Sequence, residues 1–332
     1  VKTKVSPALT SADRDEAVSQ AVELLQKGEA IGLPTETVYG LAADALREEA
    51  VLKIFAAKAR PRFDPLIVHL PDLDWVERMA VIADSSREIF NRLHTSFWPG
   101  PLTFVLPRRP IVPDAVTAGL DTVAIRISSH PIFSEIIRAF QGPLAAPSAN
   151  RFGRVSPTAA THVLEELDGF IPLIVDAGPT AHGLESTIIA LRNERIELLR
   201  RGPVTDEQLV EFGQVVAVGP TPHPEAPGQL PSHYAPKTPL IFVDDAAAFL
   251  CPVGNRCGLL SWRTKTRERF AEIRLLSERQ NLTEAASNLF RCLRELDNEG
   301  LDLIVAEKLP DEGLGAAMND RLRRAATTTQ KL

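Results

Sequence analysis

Seven prolines crowd the stretch from Gly219 to Pro239: Pro220, Pro222, Pro224, Pro227, Pro231, Pro236 and Pro239. Each removes an amide donor and fixes φ, so neither a regular helix nor a central strand can run through the stretch. It reads as an extended linker, and the chain must therefore build its cores on either side of it. With 332 residues the chain also exceeds the length at which one hydrophobic core usually stops growing. The expected division is a large domain over 1–216, a linker over 217–239 and a small domain over 240–332.

Before the linker, helical and strand-like patterns alternate. Asp13 and Glu16 read as a capping box, Ala17, Val18, Ala21, Val22 and Leu25 share one helical face, and Gly28 supplies a stop. A short apolar strand, 30–33, ends in Pro34. Helices follow over 48–58, 85–97 and 132–140, and strands over 66–70, 102–106 and 123–127. Segments 186–191 and 196–200 flank a polar turn and predict a hairpin, so the sheet should be mixed. Beyond the linker, strands over 240–243, 258–261 and 303–307 alternate with helices, the clearest over 282–296 and capped by Asn281 and Glu284. The fold class is α/β in both halves.

Hydrophobic residues make up 44% and charged residues 24%, the proportions of an ordinary globular protein. No stretch approaches a membrane span and the first residues lack the apolar core of a signal peptide, so a cytoplasmic location is expected. Cys251, Cys257 and Cys292 fit neither a disulfide framework nor a zinc site and are expected to be buried fillers in a reducing compartment. A net charge of −6 opposes a surface built to grip nucleic acid. Lys53, Lys58, Arg60 and Arg62 nevertheless occur with no acidic residue between them, and charge alone favours a solvated basic helix end.

Three segments carry chemistry. Leu33 to Leu41 sets hydroxyls and the Glu36 carboxylate directly after a strand, where α/β sheets bind ligands, although Thr and Glu also cap helices. In Lys58-Ala59-Arg60-Pro61 the two cations face opposite ways unless the chain turns, and Pro61 allows a loop in which both reach one polyphosphate. The nearby His69 reads, by itself, as a satisfied core histidine. Ala146 to Asn150, with Gly153 and Ser156, forms a small-residue loop able to cradle phosphate or ribose, yet it matches neither common nucleotide fingerprint.

Together these segments resemble the YrdC-type threonylcarbamoyl-AMP synthase family, in its long form with a C-terminal extension. The likeness adds Trp98 to Thr103, Val123 to Arg126, Glu185 to Ile188, Arg200 to Pro203 and His233 to Pro236 in matching order. The resemblance implies an open, twisted, mixed-sheet domain with a deep basic cavity, followed by a smaller Rossmann-like domain. It implies that Thr35, His69, Arg126, the Ala146 backbone and Ser186 surround threonine. Lys58, Arg60, Asp64, Thr122, Ser148, Ser156, Arg200 and Tyr234 would surround ATP, with Lys58 and Arg60 catalytic, and the linker would act as a lid. Two departures stand out: Asp64 replaces the family's usual Asn and could instead help hold Mg²⁺, and Gln229 to Ser232 replaces basic and aromatic residues.

The implied reaction joins threonine, bicarbonate and ATP into threonylcarbamoyl-AMP and pyrophosphate. The product would serve a transferase that modifies adenosine in tRNA. The rivals are a carbamoyltransferase using carbamoyl-phosphate, whose extra acylphosphatase-like, zinc-binding or kinase-like segments are not visible here, and a double-stranded RNA-binding module, which the acidic balance disfavours.

Overall fold

The computed structural model describes residues 2–219, 221, 224–263 and 269–326, so Pro220 and Pro222 of the proline-rich stretch lie outside the described residues. The chain forms two compact units. The first comprises Val1–Phe152, Pro157–Ala181 and Glu185–Leu230; the second comprises Gly153–Ser156, His182–Leu184 and Pro231–Leu332.

The first unit is built on an eleven-stranded mixed sheet. In chain order its strands are β1 (Lys4–Pro7), β2 (Ile31–Leu33), β3 (Gly40–Asp44), β4 (Ile67–His69), β5 (Leu102–Pro107) and β6 (Thr122–Arg126). There follow β7 (Leu144–Ala145), β8 (Leu173–Asp176), β9 (Thr187–Arg192), β10 (Arg195–Arg200) and β11 (Val215–Ala217). The spatial order is β1-β8-β2-β3-β7-β4-β6-β5-β9-β10-β11. Parallel β4 and β6 place His69 opposite Arg126, the register on which the site depends. β9 and β10 form the expected antiparallel hairpin. Its turn residues Asn193 and Glu194 take φ of 51° and 59°, the left-handed pair that matches the twist of a two-residue loop.

The first helix, Ser11–Gln26, starts before the expected capping box. Thr10 is the cap, its hydroxyl accepting from the Asp13 amide at 3.3 Å, while the Asp13 carboxylate takes the Thr10 proton at 2.6 Å. Ala17, Val18, Ala21 and Leu25 form its buried face. The proline-rich stretch is shared between the units. Gln229 Oε1 accepts from the amides of Glu225 and Ala226 at 2.8 and 3.0 Å, folding that part into a turn of the first unit.

The second unit holds four parallel strands, β12 (Leu240–Val243), β13 (Cys257–Ser261), β14 (Glu272–Leu275) and β15 (Leu303–Glu307), in the order β12-β15-β13-β14. The helix Leu282–Asp297 starts as expected, Asn281 Oδ1 accepting from the Glu284 amide at 2.9 Å. One expectation fails here. Cys251 and Cys257 form a disulfide, because the chain between them turns back to start β13, and Cys292 alone remains a free buried thiol. Among the described residues no helix is long and apolar enough to cross a membrane.

Candidate functional site

After β2 the chain breaks from the sheet at Pro34 and returns as β3. Thr35 shapes the loop between: its hydroxyl accepts from the amides of Thr37 and Val38 at 3.1 and 3.2 Å and donates to the Val38 carbonyl at 2.6 Å. That turn buries Glu36, 6% exposed, against the end of β6. Glu36 Oε1 lies 2.5 Å from Arg126 Nη2 as an ion pair without aligned hydrogen-bond geometry. Glu36 Oε2 accepts from the Ser128 hydroxyl at 2.5 Å. Arg126 is held on its other edges, Nε donating to the Gly100 carbonyl at 3.1 Å and Nη1 to the Thr37 hydroxyl at 3.0 Å.

Burial works against the Glu36 charge, but Arg126, with help from Ser128, outweighs it and holds the carboxyl at about 2. His69, register partner of Arg126, is 2% exposed, and neither ring nitrogen has a hydrogen-bond partner among the described residues. Burial, then the Arg126 charge, pushes it down to about 3, so at neutral pH the ring is uncharged. The satisfied core histidine expected from the residue alone is therefore not what is found: His69 is buried but unsatisfied. Buried polar atoms are nearly always paired, and two bare nitrogens beside an ion pair point to a ligand.

A second cluster is cationic. The helix Glu48–Lys58 ends at Ala59, whose φ of 50° turns the chain left-handed; the turn expected at Pro61 comes two residues earlier. Lys58 then reaches back, its Nζ donating to the carbonyls of Ser148, at 2.5 Å, and Asn150. At 1% exposure it is no solvated helix end, and burial followed by Arg60 pushes its ammonium well below the usual lysine range. Arg60 is also buried and donates to the carbonyls of Asp64 at 3.1 Å and Pro65 at 2.8 Å. Of the basic segment Lys53 and Arg62 are exposed as charge alone suggested, Lys53 pairing with Glu29 at the surface.

The Asp64 carboxylate lies 2.8 Å from Arg60 Nη2, again as an ion pair without an aligned hydrogen bond. Burial raises its pKa, although the charges of Arg60, then Lys58 and Arg200, act to lower it. Arg200, at the end of β10, donates through Nε to the Ser186 carbonyl at 3.0 Å, through Nη2 to the Ser186 hydroxyl at 3.1 Å and through Nη1 to the Pro227 carbonyl at 3.1 Å. Ser186 also shares a hydrogen bond with Thr103 at 2.8 Å. Gly202 makes this arrangement possible, since a Cβ there would stand 2.5 Å from the Glu185 oxygen and the Thr187 nitrogen.

The remaining expected residues are distributed more widely. Thr122 opens β6 and is half-buried. Ala146 follows β7 and donates its amide to the Ile67 carbonyl at 2.9 Å. Ser148 is half-buried and bridges to Gly40. Ser156 and Tyr234 belong to the second unit. There the Tyr234 ring is buried, 5.8 Å from the Phe290 ring and beneath the Arg321 guanidinium. Among the described residues no three acidic, His or Cys side chains converge as metal ligands, and Asp64 is engaged with Arg60, so the expected Mg²⁺ contact finds no fit. Ser128, Thr37, Thr103 and Glu36 take part in the site although the sequence alone assigned none of them a ligand contact. The one available signal was the carboxylate at a strand end.

Residues 23–202 match the Sua5_yciO_yrdC family, described as telomere recombination, and residues 204–327 match the threonylcarbamoyl-AMP synthase C-terminal domain. The threonylcarbamoyl-AMP synthase of Bacillus subtilis is 39% identical, over 94% of this chain and 93% of its own. That of Pyrococcus abyssi is 38% identical over 92% and 93%. A crystal structure of P. abyssi Sua5 complexed with L-threonine superposes with a TM-score of 0.89, at 35% identity and covering 98% of both chains.

Proposed function

This chain belongs to the Sua5/YciO/YrdC family, in the form that carries the threonylcarbamoyl-AMP synthase C-terminal domain, and on that premise we propose that it makes threonylcarbamoyl-AMP. Threonine and bicarbonate condense to the threonine N-carboxylate, releasing water and one proton. A carbamate oxygen then attacks the α-phosphorus of ATP and pyrophosphate leaves, which makes the enzyme a nucleotidyltransferase. No covalent enzyme intermediate is needed.

The observation that carries this reading is that the first unit holds both the Arg126–His69 cluster with its unsatisfied ring and the buried side chains of Lys58, Arg60 and Arg200. The first suits an amino acid: Arg126 offers a guanidinium to the carboxylate, and Thr35, His69, the Ala146 backbone and Ser186 contact the rest. The second suits a polyphosphate. Lys58, Arg60 and Arg200 would balance charge as it moves from the carbamate through the α-phosphoryl group to pyrophosphate, with Thr122 and Ser148 lining the nucleotide. Positioning does the rest. Magnesium would arrive as the counter-ion of ATP, since among the described residues no three acidic, His or Cys side chains gather to hold it.

We further propose that residues 217–239 serve as a lid and that Ser156 and Tyr234 complete the nucleotide contacts. A water-excluding cover is chemically required, because carbamates lose carbon dioxide and the mixed anhydride hydrolyses. The enzyme works in the cytoplasm, where a tRNA-modifying threonylcarbamoyl transferase takes up the product. The test is pyrophosphate release from the magnesium salt of ATP. It should require threonine and bicarbonate together, whereas phosphate released from carbamoyl-phosphate without a response to threonine would replace this function with carbamoyl transfer.

A further inference from the structure

The Glu36 carboxylate is buried against a cation that the proposed reaction uses, and no role in that reaction has been given to it. A carboxylate accepts about four hydrogen bonds. Glu36 shows two contacts, the Ser128 hydroxyl and the Arg126 ion pair. Arg126 carries five N–H donors, of which Nε and Nη1 are placed on Gly100 and Thr37 and Nη2 faces Glu36. Opposite charges thus stand side by side, each with capacity to spare, next to the bare, neutral ring of His69. An α-amino acid zwitterion carries the complementary pair of charges at similar spacing.

We propose that Glu36 is a specificity-determining residue that receives the substrate's α-ammonium while Arg126 receives its carboxylate. The inference rests on the threonine-dependent reading above. It also gives the carbamoylation step a direction. When the ammonium gives one proton to solvent and a second hydrogen leaves with the bicarbonate oxygen as water, the N-carboxylate that forms turns the group beside Glu36 from positive to negative, and it is repelled. The reacting oxygen is thereby turned from Glu36 towards the cations that hold the nucleotide. Glu36 would act on the ground-state amino acid and on the orientation of the carbamate, without exchanging a proton.

The test compares L-threonine with 2,3-dihydroxybutyrate, in which a hydroxyl replaces the ammonium, by calorimetry on the full chain and on Glu36→Gln. Loss of a charge-assisted contact should weaken threonine at least about tenfold in the variant. The analogue, which keeps the carboxylate but lacks the ammonium, should bind both proteins within about twofold, and ATP affinity should hold. Equal weakening of threonine and analogue would reduce Glu36 to a structural support for Arg126, and unchanged threonine affinity would remove it from the site. Should Glu36→Gln fail to fold, Glu36→Asp draws the same charge back by one methylene and must show the same selective loss for threonine. Wild-type protein that binds no threonine would instead refute the functional reading itself, so the two failures are distinct.

Discussion

Acid is the perturbation that isolates the Glu36–Arg126 pair. Its ordinary carboxyl value is 4.5 and its value in the fold is about 2, a depression of roughly 2.5 units. A folded-state value below the unfolded one means that the stabilisation is complete above pH 4.5 and is lost as pH falls towards 2. At 1.36 kcal/mol per unit the whole effect is about 3 kcal/mol, of which about 2 kcal/mol is gone by pH 3. Because the side chain is buried, solvent screening removes little of this. Trp75 and Trp98 lie in the first unit and Trp262 in the second, so a Trp262→Phe background makes fluorescence report the unit that holds Glu36. Urea unfolding at pH 6, 5, 4 and 3 should show stability falling more steeply in this background than when Glu36→Gln is added, the gap closing by about 2 kcal/mol at pH 3. The Gln variant starts lower because Arg126 loses its partner, but only the pH dependence is compared. Parallel curves would mean that Arg126 does not hold the Glu36 charge.

Gly202→Ala should cost about 1 to 3 kcal/mol and abolish product formation, since the new Cβ can be relieved only by moving the backbone that presents Ser186; thermal melts and adenylate yield check both. Tyr234→Ala removes a ring buried against Phe290 and should destabilise the second unit by about 3 kcal/mol. Hydrogen exchange should then quicken over Leu282–Asp297 and stay unchanged over β4 and β6. Opening the Cys251–Cys257 bridge, which spans a sequence separation of 6, should cost the second unit about 2 kcal/mol on chain entropy. Reductant should therefore lower the melting temperature of the wild type and leave Cys251→Ser unaffected.

Much of the large sheet was legible because β5, β6, β9 and β10 are apolar runs bounded by turn residues. Gly40–Asp44 escaped because Gly-Leu-Ala-Ala-Asp is buried along nearly its whole length and shows no alternation. Leu144–Ala145 is too short to leave any periodic signal. For the site, residue chemistry alone misjudged Lys58 and Arg60. A basic run looks solvated, and only the left-handed turn at Ala59 with the carbonyls of Ser148 and Asn150 shows why the cations are buried. The Cys251–Cys257 pairing was missed for a related reason, as six residues can close a bridge only if the chain doubles back, which no spacing rule reveals. Such a bridge is also uncommon in the reducing cytoplasm proposed here, which makes its response to reductant informative.

The central claim is that carbon from bicarbonate is captured on threonine and sealed as an adenylate. Incubating the protein with ATP, ¹³C-bicarbonate and each of a panel of amino acids, followed by mass spectrometry of the quenched nucleotides, tests it most directly. The account predicts an acyl-adenylate carrying one ¹³C, formed with threonine and dependent on the whole set of substrates. Label-free threonyl-adenylate, or no adenylate beside pyrophosphate release that ignores threonine, would contradict it.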